Sequence, residues 1–147
     1  MLDKGIKITF VFLLVFCVQF DLLAQKKTEQ AYRTNQKIKI DGNLDELDWS
    51  KATSFDGFAE FYPVFNQNPE QQSEVKVLFD DKAIYFGAFL YDDNPDSIYN
   101  ELTVRDNYNG NADYFAVSLN PNNDGQNIYE FVVSAANVQT DIRISEI

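Results

Sequence analysis

This chain has no histidine, and its one cysteine, Cys17, lies in an N-terminal apolar run, so any chemistry falls to carboxylates, amides and aromatic rings. Imidazole and thiolate are the usual general bases, nucleophiles and zinc ligands, and most nucleophilic catalysis leaves with them. Glycoside cleavage by two carboxyl groups needs one of them held in a dry pocket with a raised pKa. The acidic residues here concentrate instead in turn-forming stretches, where a solvated carboxylate is the norm. The domain is therefore expected to be non-catalytic. Calcium suits oxygen-rich loops better. Asp92, Asp93 and Asp96 in one stretch, and Asp113 at the end of the polar run 106–113, make the candidate ligand set. Turn capping by the same oxygens is the alternative. Asn120, Asn122, Asp124 and Gly125 echo the start of an EF-hand loop, but the bidentate glutamate due at position 131 is Phe131, so a hairpin turn is expected there.

Aromatic faces stack on pyranose rings, and planar polar side chains bond their hydroxyls. Tyr62 and Tyr108, with Phe61 and Phe65, lie in or beside loop-like stretches and offer such faces. Glu101, Arg105, Asp106 and Asn107 offer the hydrogen bonds. The candidate ligand site is thus Tyr62, Glu101, Arg105, Asp106, Asn107 and Tyr108. Two plainer uses remain open: Phe55, Phe58 and Phe61 as cover for the end of a core, and Arg105 with Asp106 as an ion pair fixing a loop.

These residues have to be positioned by short strands. The stretch 37–40 alternates, with Ile38 and Ile40 on one face, and predicts a first strand. Asp41-Gly42 then turns the chain, a helical turn is expected over 44–51, and Trp49, the only tryptophan, reads as a core plug. Residues 55–65 form an aromatic-rich loop with a short edge strand. Strands follow over 73–79, with Val75, Val77 and Phe79 on one face, and over 83–91, joined by a tight turn at Asp80-Asp81-Lys82. The second of these is apolar on both faces, which predicts a central strand, and Gly87 within it marks a bulge or a close backbone approach. Further strands are expected over 114–119, 128–133 and from Thr140 onward, while 98–104 has no clear period. Many short strands with Asn, Asp, Gly and Pro between them predict an all-β, antiparallel β-sandwich. A last strand with no partner after it predicts that the polypeptide continues past Ile147.

The N-terminus is set apart from this pattern. Lys4 and Lys7 precede an apolar run over 8–18, and Leu22-Leu23-Ala24 offers a small residue before Gln25. This is the layout of a secretory signal peptide over 1–24, and it predicts an exported protein located in the periplasm, the outer membrane or the extracellular space. Phe16 stands where a lipoprotein cysteine would require a small residue, so Cys17 is expected to leave with the peptide. Residues 25–36 read as a polar leader and 37–147 as the domain. The whole chain carries a formal charge of −11. Cleavage removes two bases, Lys4 and Lys7, and two acids, Asp3 and Asp21, and leaves that charge unchanged. A nucleic-acid partner is excluded by the lack of a basic face.

Several motifs together resemble the family 9 carbohydrate-binding module. They are Ile40-Asp41-Gly42 with Asp45-Glu46 and Trp49, the hairpin over 75–87, Asp113 ahead of Phe115-Ala116-Val117, and Leu119-Asn120-Pro121. The chain is more closely similar to the form of that domain that opens long exported proteins of the Bacteroidota type, ahead of a large C-terminal region. The resemblance implies a β-sandwich with structural calcium, an oligosaccharide or polysaccharide as ligand, the remainder of the same polypeptide as a partner, and a setting in carbohydrate catabolism. Family members clamp a sugar between two tryptophans, whereas here the sole Trp49 matches the structural one. A module that packs on its own C-terminal region and binds no sugar is the alternative function.

Overall fold

The computed structural model describes residues 28–107 and 111–145, and they form an all-β protein with very little helix. It divides into two compact units, one ending at Leu90 and the other beginning at Tyr91. The expected signal peptide over 1–24 lies outside the described residues.

The first unit is built on a hairpin of two seven-residue strands, β3 (Ser73–Phe79) and β4 (Ile84–Leu90), in the register Phe79 opposite Ile84 and Ser73 opposite Leu90. The Asp80 carboxylate closes the turn by accepting the N–H groups of Lys82 (2.7 Å) and Ala83 (2.8 Å). It also accepts the hydroxyl of Tyr85 (3.0 Å). The other edge of β3 is shared by two short pieces. β1 (Tyr32–Arg33) runs parallel to it, with Tyr32 opposite Leu78, and β2 (Ser54–Phe55) runs antiparallel, with Phe55 opposite Val75. The sheet is therefore mixed rather than wholly antiparallel. The segment expected to be a polar leader supplies a strand, and among the described residues β4 pairs with β3 alone, an edge strand rather than a central one, with Ile84 and Leu90 about half exposed.

The predicted strand over 37–40 does not form. Ile38 enters the core and Ile40 is 86% exposed, so the two isoleucines share no face. Alternation alone makes no strand when no neighbour accepts its backbone. Instead the chain from Ile38 to Ala52 lies over the sheet face carrying Leu78, Tyr85 and Gly87. Leu78 is fully buried, and it packs with Ile38, Trp49 and Ala52. Gly87 has the close approach expected of it: a Cβ there would sit 2.8 and 2.9 Å from the Leu44 methyls and 3.0 Å from the Trp49 ring.

A single helical turn, α1 (Leu47–Lys51), holds Trp49 in place. Its entry residue, Glu46, works through both carboxylate oxygens, one accepting the Lys39 N–H (2.8 Å) and the other the Trp49 indole N–H (3.1 Å). Asp48, 5% exposed, is likewise fully engaged. It accepts the Thr34 hydroxyl (2.7 Å) and the Lys51 ammonium (2.7 Å), while its own N–H reaches Gln36 (3.2 Å). These bonds, the Lys51 one above all, hold the Asp48 carboxyl below the usual aspartate range. A buried carboxylate is costly unless paired, and here the pairing also ties β1 to α1.

The second unit is a three-stranded antiparallel meander of β5 (Tyr114–Leu119), β6 (Asn127–Ser134) and β7 (Gln139–Ser145). Phe115, Val117 and Leu119 stand opposite Val133, Phe131 and Tyr129, so one face is a ladder of apolar pairs. The other face buries Val132 and Thr140. The 120–126 connection is the hairpin turn expected in place of an EF-hand. Asn123 and Gly125 take positive φ (50° and 69°), and the Asp124 carboxylate accepts the N–H groups of Gln126 (2.9 Å) and Asn127 (3.2 Å). No described helix is long and apolar enough to cross a membrane.

Candidate functional site

Loop 98–107 of the second unit carries most of the candidate residues, and hydrogen bonds rather than packing hold it. Tyr99 and Glu101 run antiparallel to residues 111–113. The Tyr99 C=O accepts the Asp113 N–H (2.7 Å), and the Asp113 carboxylate accepts the Tyr99 N–H (3.2 Å). The Glu101 carboxylate accepts the Asn111 N–H (3.1 Å). Farther along, Arg105 reaches across to β7. Its guanidinium donates to the Gln139 side-chain oxygen (3.0 Å) and pairs with Asp141, with Asp106 a third neighbour at 3.6 Å. The Asp106 N–H bonds the Gln139 C=O (3.1 Å), and its backbone stands at φ 64°. An aspartate tolerates that left-handed conformation better than most residues.

Between this loop and the β6–β7 turn lies an open groove of about 250 Å³, lined by Leu102, Thr103, Arg105, Asn137, Val138 and Gln139. Leu102 and Val138 supply apolar surface. Arg105, Asn137 and Gln139 supply planar donors and acceptors. A second space of about 20 Å³, sharing Thr103 and Val138 with the groove, is also lined by Glu101, Asn107, Tyr114, Ser134 and Thr140 among others, room for about one water molecule.

The structure thus brings Arg105 and Asp106 together beside the groove, and puts Glu101 and Asn107 on the smaller space that shares Thr103 and Val138 with it. The Asn107 backbone is spent on the loop, its N–H on the Val104 C=O (3.1 Å) and its C=O on the Thr103 hydroxyl (3.1 Å). Tyr108 lies outside the described residues. Tyr62 belongs to the first unit and is 82% exposed at the tip of the loop between β2 and β3. Phe61, which with Phe55 and Phe58 had cover for a core end as its alternative use, is 80% exposed. Asn137, Gln139 and Asp141 were not among the sequence candidates for the ligand site. They are 32, 34 and 36 residues from Arg105 in the chain, and no local pattern joins them.

The chain matches no protein-family model, no curated protein and no solved structure. Function has to be argued from the geometry of these residues.

The calcium candidates Asp92, Asp93 and Asp96 lie in one turn after β4, and Asp113 lies just ahead of β5. Among the described residues, no three acidic side chains gather to hold a metal ion. Asp92 caps its own turn, accepting the Asn94 N–H (2.6 Å), and a 3-10 turn follows at Pro95–Ser97. Asp113, as noted, fastens Tyr99. Asp92 thus caps a turn and Asp113 ties the loop to the stretch ahead of β5.

Proposed function

We propose that this chain is a non-catalytic, saccharide-binding module of an exported protein, with its ligand in the groove beside Arg105. The observation that carries the proposal is the groove's composition: one guanidinium and two primary amides facing a space of about 250 Å³ with apolar Leu102 and Val138 at its side. A sugar ring presents hydroxyls around its rim and C–H groups on its faces, and this lining answers both. The groove is smaller than the usual drug-sized site, which favours one or two sugar units. Gln139 and Asp141 hold the guanidinium in place, so little side-chain freedom is lost when a ligand arrives. Asp106 and Asp141 both face that guanidinium as acceptors, which is unlike a pair of carboxyl groups flanking a bond to be cleaved. The same two carboxylates and the acidic chain favour neutral over anionic sugars. With the motif resemblance, the proposal extends to a β-sandwich of the carbohydrate-binding-module type, to structural calcium, and to the rest of the polypeptide as a partner.

The test is isothermal titration of the full chain with neutral mono- and oligosaccharides, with and without calcium chloride. Heat that disappears in Arg105→Ala supports the proposal. No heat and no shift in melting temperature across a broad panel sinks it.

A second function, assembly against another β-rich region, is favoured by one observation. Tyr129, Phe131 and Val133, on the apolar face of the second sheet, are 39%, 50% and 39% exposed. Charged substitution of Phe131 would then abolish an assembly and leave sugar binding intact.

A further inference from the structure

The loop between β2 and β3 ends in five consecutive residues with no charge: Phe61, Tyr62, Pro63, Val64 and Phe65. Two backbone hydrogen bonds close its base, from the Glu60 N–H to the Gln67 C=O and from the Asn66 N–H to the Glu60 C=O, both 2.8 Å. The tip is therefore held out by its own backbone. Phe61, Tyr62 and Phe65 are 80%, 82% and 75% exposed, and Val64 is 49% exposed. So concentrated an apolar projection is unusual on a soluble surface, where large apolar side chains are normally scattered singly.

The ring geometry narrows what the tip can meet. Phe61 and Phe65 are 5.7 Å apart at an interplanar angle of 85°. Perpendicular rings do not make the flat shelf that stacks on consecutive sugar faces. They make a wedge with apolar surface on several sides, which is satisfied by insertion into a disordered apolar medium. Asn66, Gln67 and Asn68 follow at once and give a collar of amides suited to a headgroup layer. Charge narrows it further. Between Ser54 and Ser73 the chain has Asp56, Glu60 and Glu70 and no lysine or arginine, so an anionic bilayer repels this loop.

We propose that the Phe61–Phe65 tip is a shallow membrane anchor that inserts into the interface of a zwitterionic lipid bilayer. Depth is limited by the backbone. The tip is irregular, with peptide groups that hydrocarbon cannot satisfy, so it reaches the headgroup and upper acyl level and goes no deeper. Tyrosine is at home there, with its ring buried and its hydroxyl wet. A single tip of this size gives weak, reversible binding. The anchor is independent of the sugar groove, which lies in the other unit.

The test is co-sedimentation of the full chain with phosphatidylcholine vesicles, beside vesicles containing phosphatidylglycerol and a suspension of microcrystalline cellulose. Binding to phosphatidylcholine is expected to fall at least tenfold in Phe61→Ala/Phe65→Ala, with circular dichroism and sugar titration unchanged, because both rings are exposed. Phe61→Trp supplies a local reporter against the buried Trp49. Its emission should shift to the blue with the vesicles and be quenched by brominated lipid. The proposal is overturned if phosphatidylcholine is not bound, if the double variant binds it as well as the parent, if the phosphatidylglycerol vesicles are bound more tightly, or if the loop-dependent binding goes to cellulose instead. A blank sugar titration with vesicle binding intact would sink the saccharide proposal alone.

Discussion

The two units use similar sheets in opposite ways. In the first, the face carrying Leu78 is covered by residues 38–52, so that Trp49, Ile38 and Ala52 close over a side chain with no exposure at all. In the second, the face carrying Val132 and Thr140 lies beneath loop 98–107, which is fastened by the Arg105, Asp106, Glu101 and Asp113 bonds and leaves both a groove and a small internal space. Close packing gives a rigid body that a one-carbon change disturbs. Polar ties can part and re-form at little cost, and they leave donors and acceptors near the surface. The candidate site stands on the loosely tied unit, and the tryptophan that draws the eye first stands in the tightly packed one.

The largest test of this contrast is Trp49→Ala. It should lower stability by about 3–5 kcal/mol, as expected for a large buried aromatic, and chemical denaturation should show the loss. Gly87→Ala comes next, at about 1–2 kcal/mol, since the new methyl meets the Leu44 methyls and the Trp49 ring at 3.0 Å or less. Most of that cost should vanish in a Leu44→Ala background, because the leucine methyls are the closest obstruction, and a double-mutant cycle would read the coupling.

Acid should separate the units too. Backbone N–H groups hold Glu46 (from Lys39) and Asp80 (from Lys82 and Ala83) below the ordinary carboxylate range, and Lys51 and Thr34 do the same for Asp48. In the second unit the Gln126 and Asn127 N–H groups do so for Asp124. With native pKa values depressed, the unfolded chain takes up protons first. The stability these groups contribute is whole above about pH 5 and is lost as pH falls through the unfolded and then the native values. Hydrogen exchange followed downward from pH 5 should therefore show the first unit loosening more steeply, and Asp48→Asn should flatten that dependence.

Arg105→Ala should have the smallest effect on stability, under about 1 kcal/mol, because its ion pairs are exposed. Its effect on sugar binding should be complete. A large fall in melting temperature instead would show that the loop is held far more firmly than its polar ties suggest, and would erase the contrast between the units.

Local alternation and turn chemistry made the hairpin legible: β3 is found where the sequence predicts it, and β4 within one residue at each end. The predicted 114–119 strand is β5, and β6 extends its prediction by one residue at each end. β1 was hidden for the opposite reason. Two residues make no pattern, and Tyr32 is a strand residue only because Leu78 lies beside it. Leu78 itself lies on the face shared with Glu74 and Lys76, so alternation pointed to Val75 and Val77 while the deepest burial lay on the other side. In the site, Arg105 and Asp106 were visible as residue types in a polar loop. Gln139 and Asp141 read as ordinary strand residues, because their role is set by contact and not by order.

The parallel pairing of β1 also makes the residues from Tyr32 to Thr34 part of the folded body. Tyr32 and Arg33 extend β3, the Thr34 N–H continues the ladder to the Phe79 C=O (2.9 Å), and the Thr34 hydroxyl reaches Asp48. A polypeptide started at Lys37, where hydrophobic alternation first shows, would lose the strand and leave Asp48 without its threonine donor. Trimming for expression has to leave Tyr32 to Thr34 in place, and a protease that cut at Arg33 would act on the fold itself.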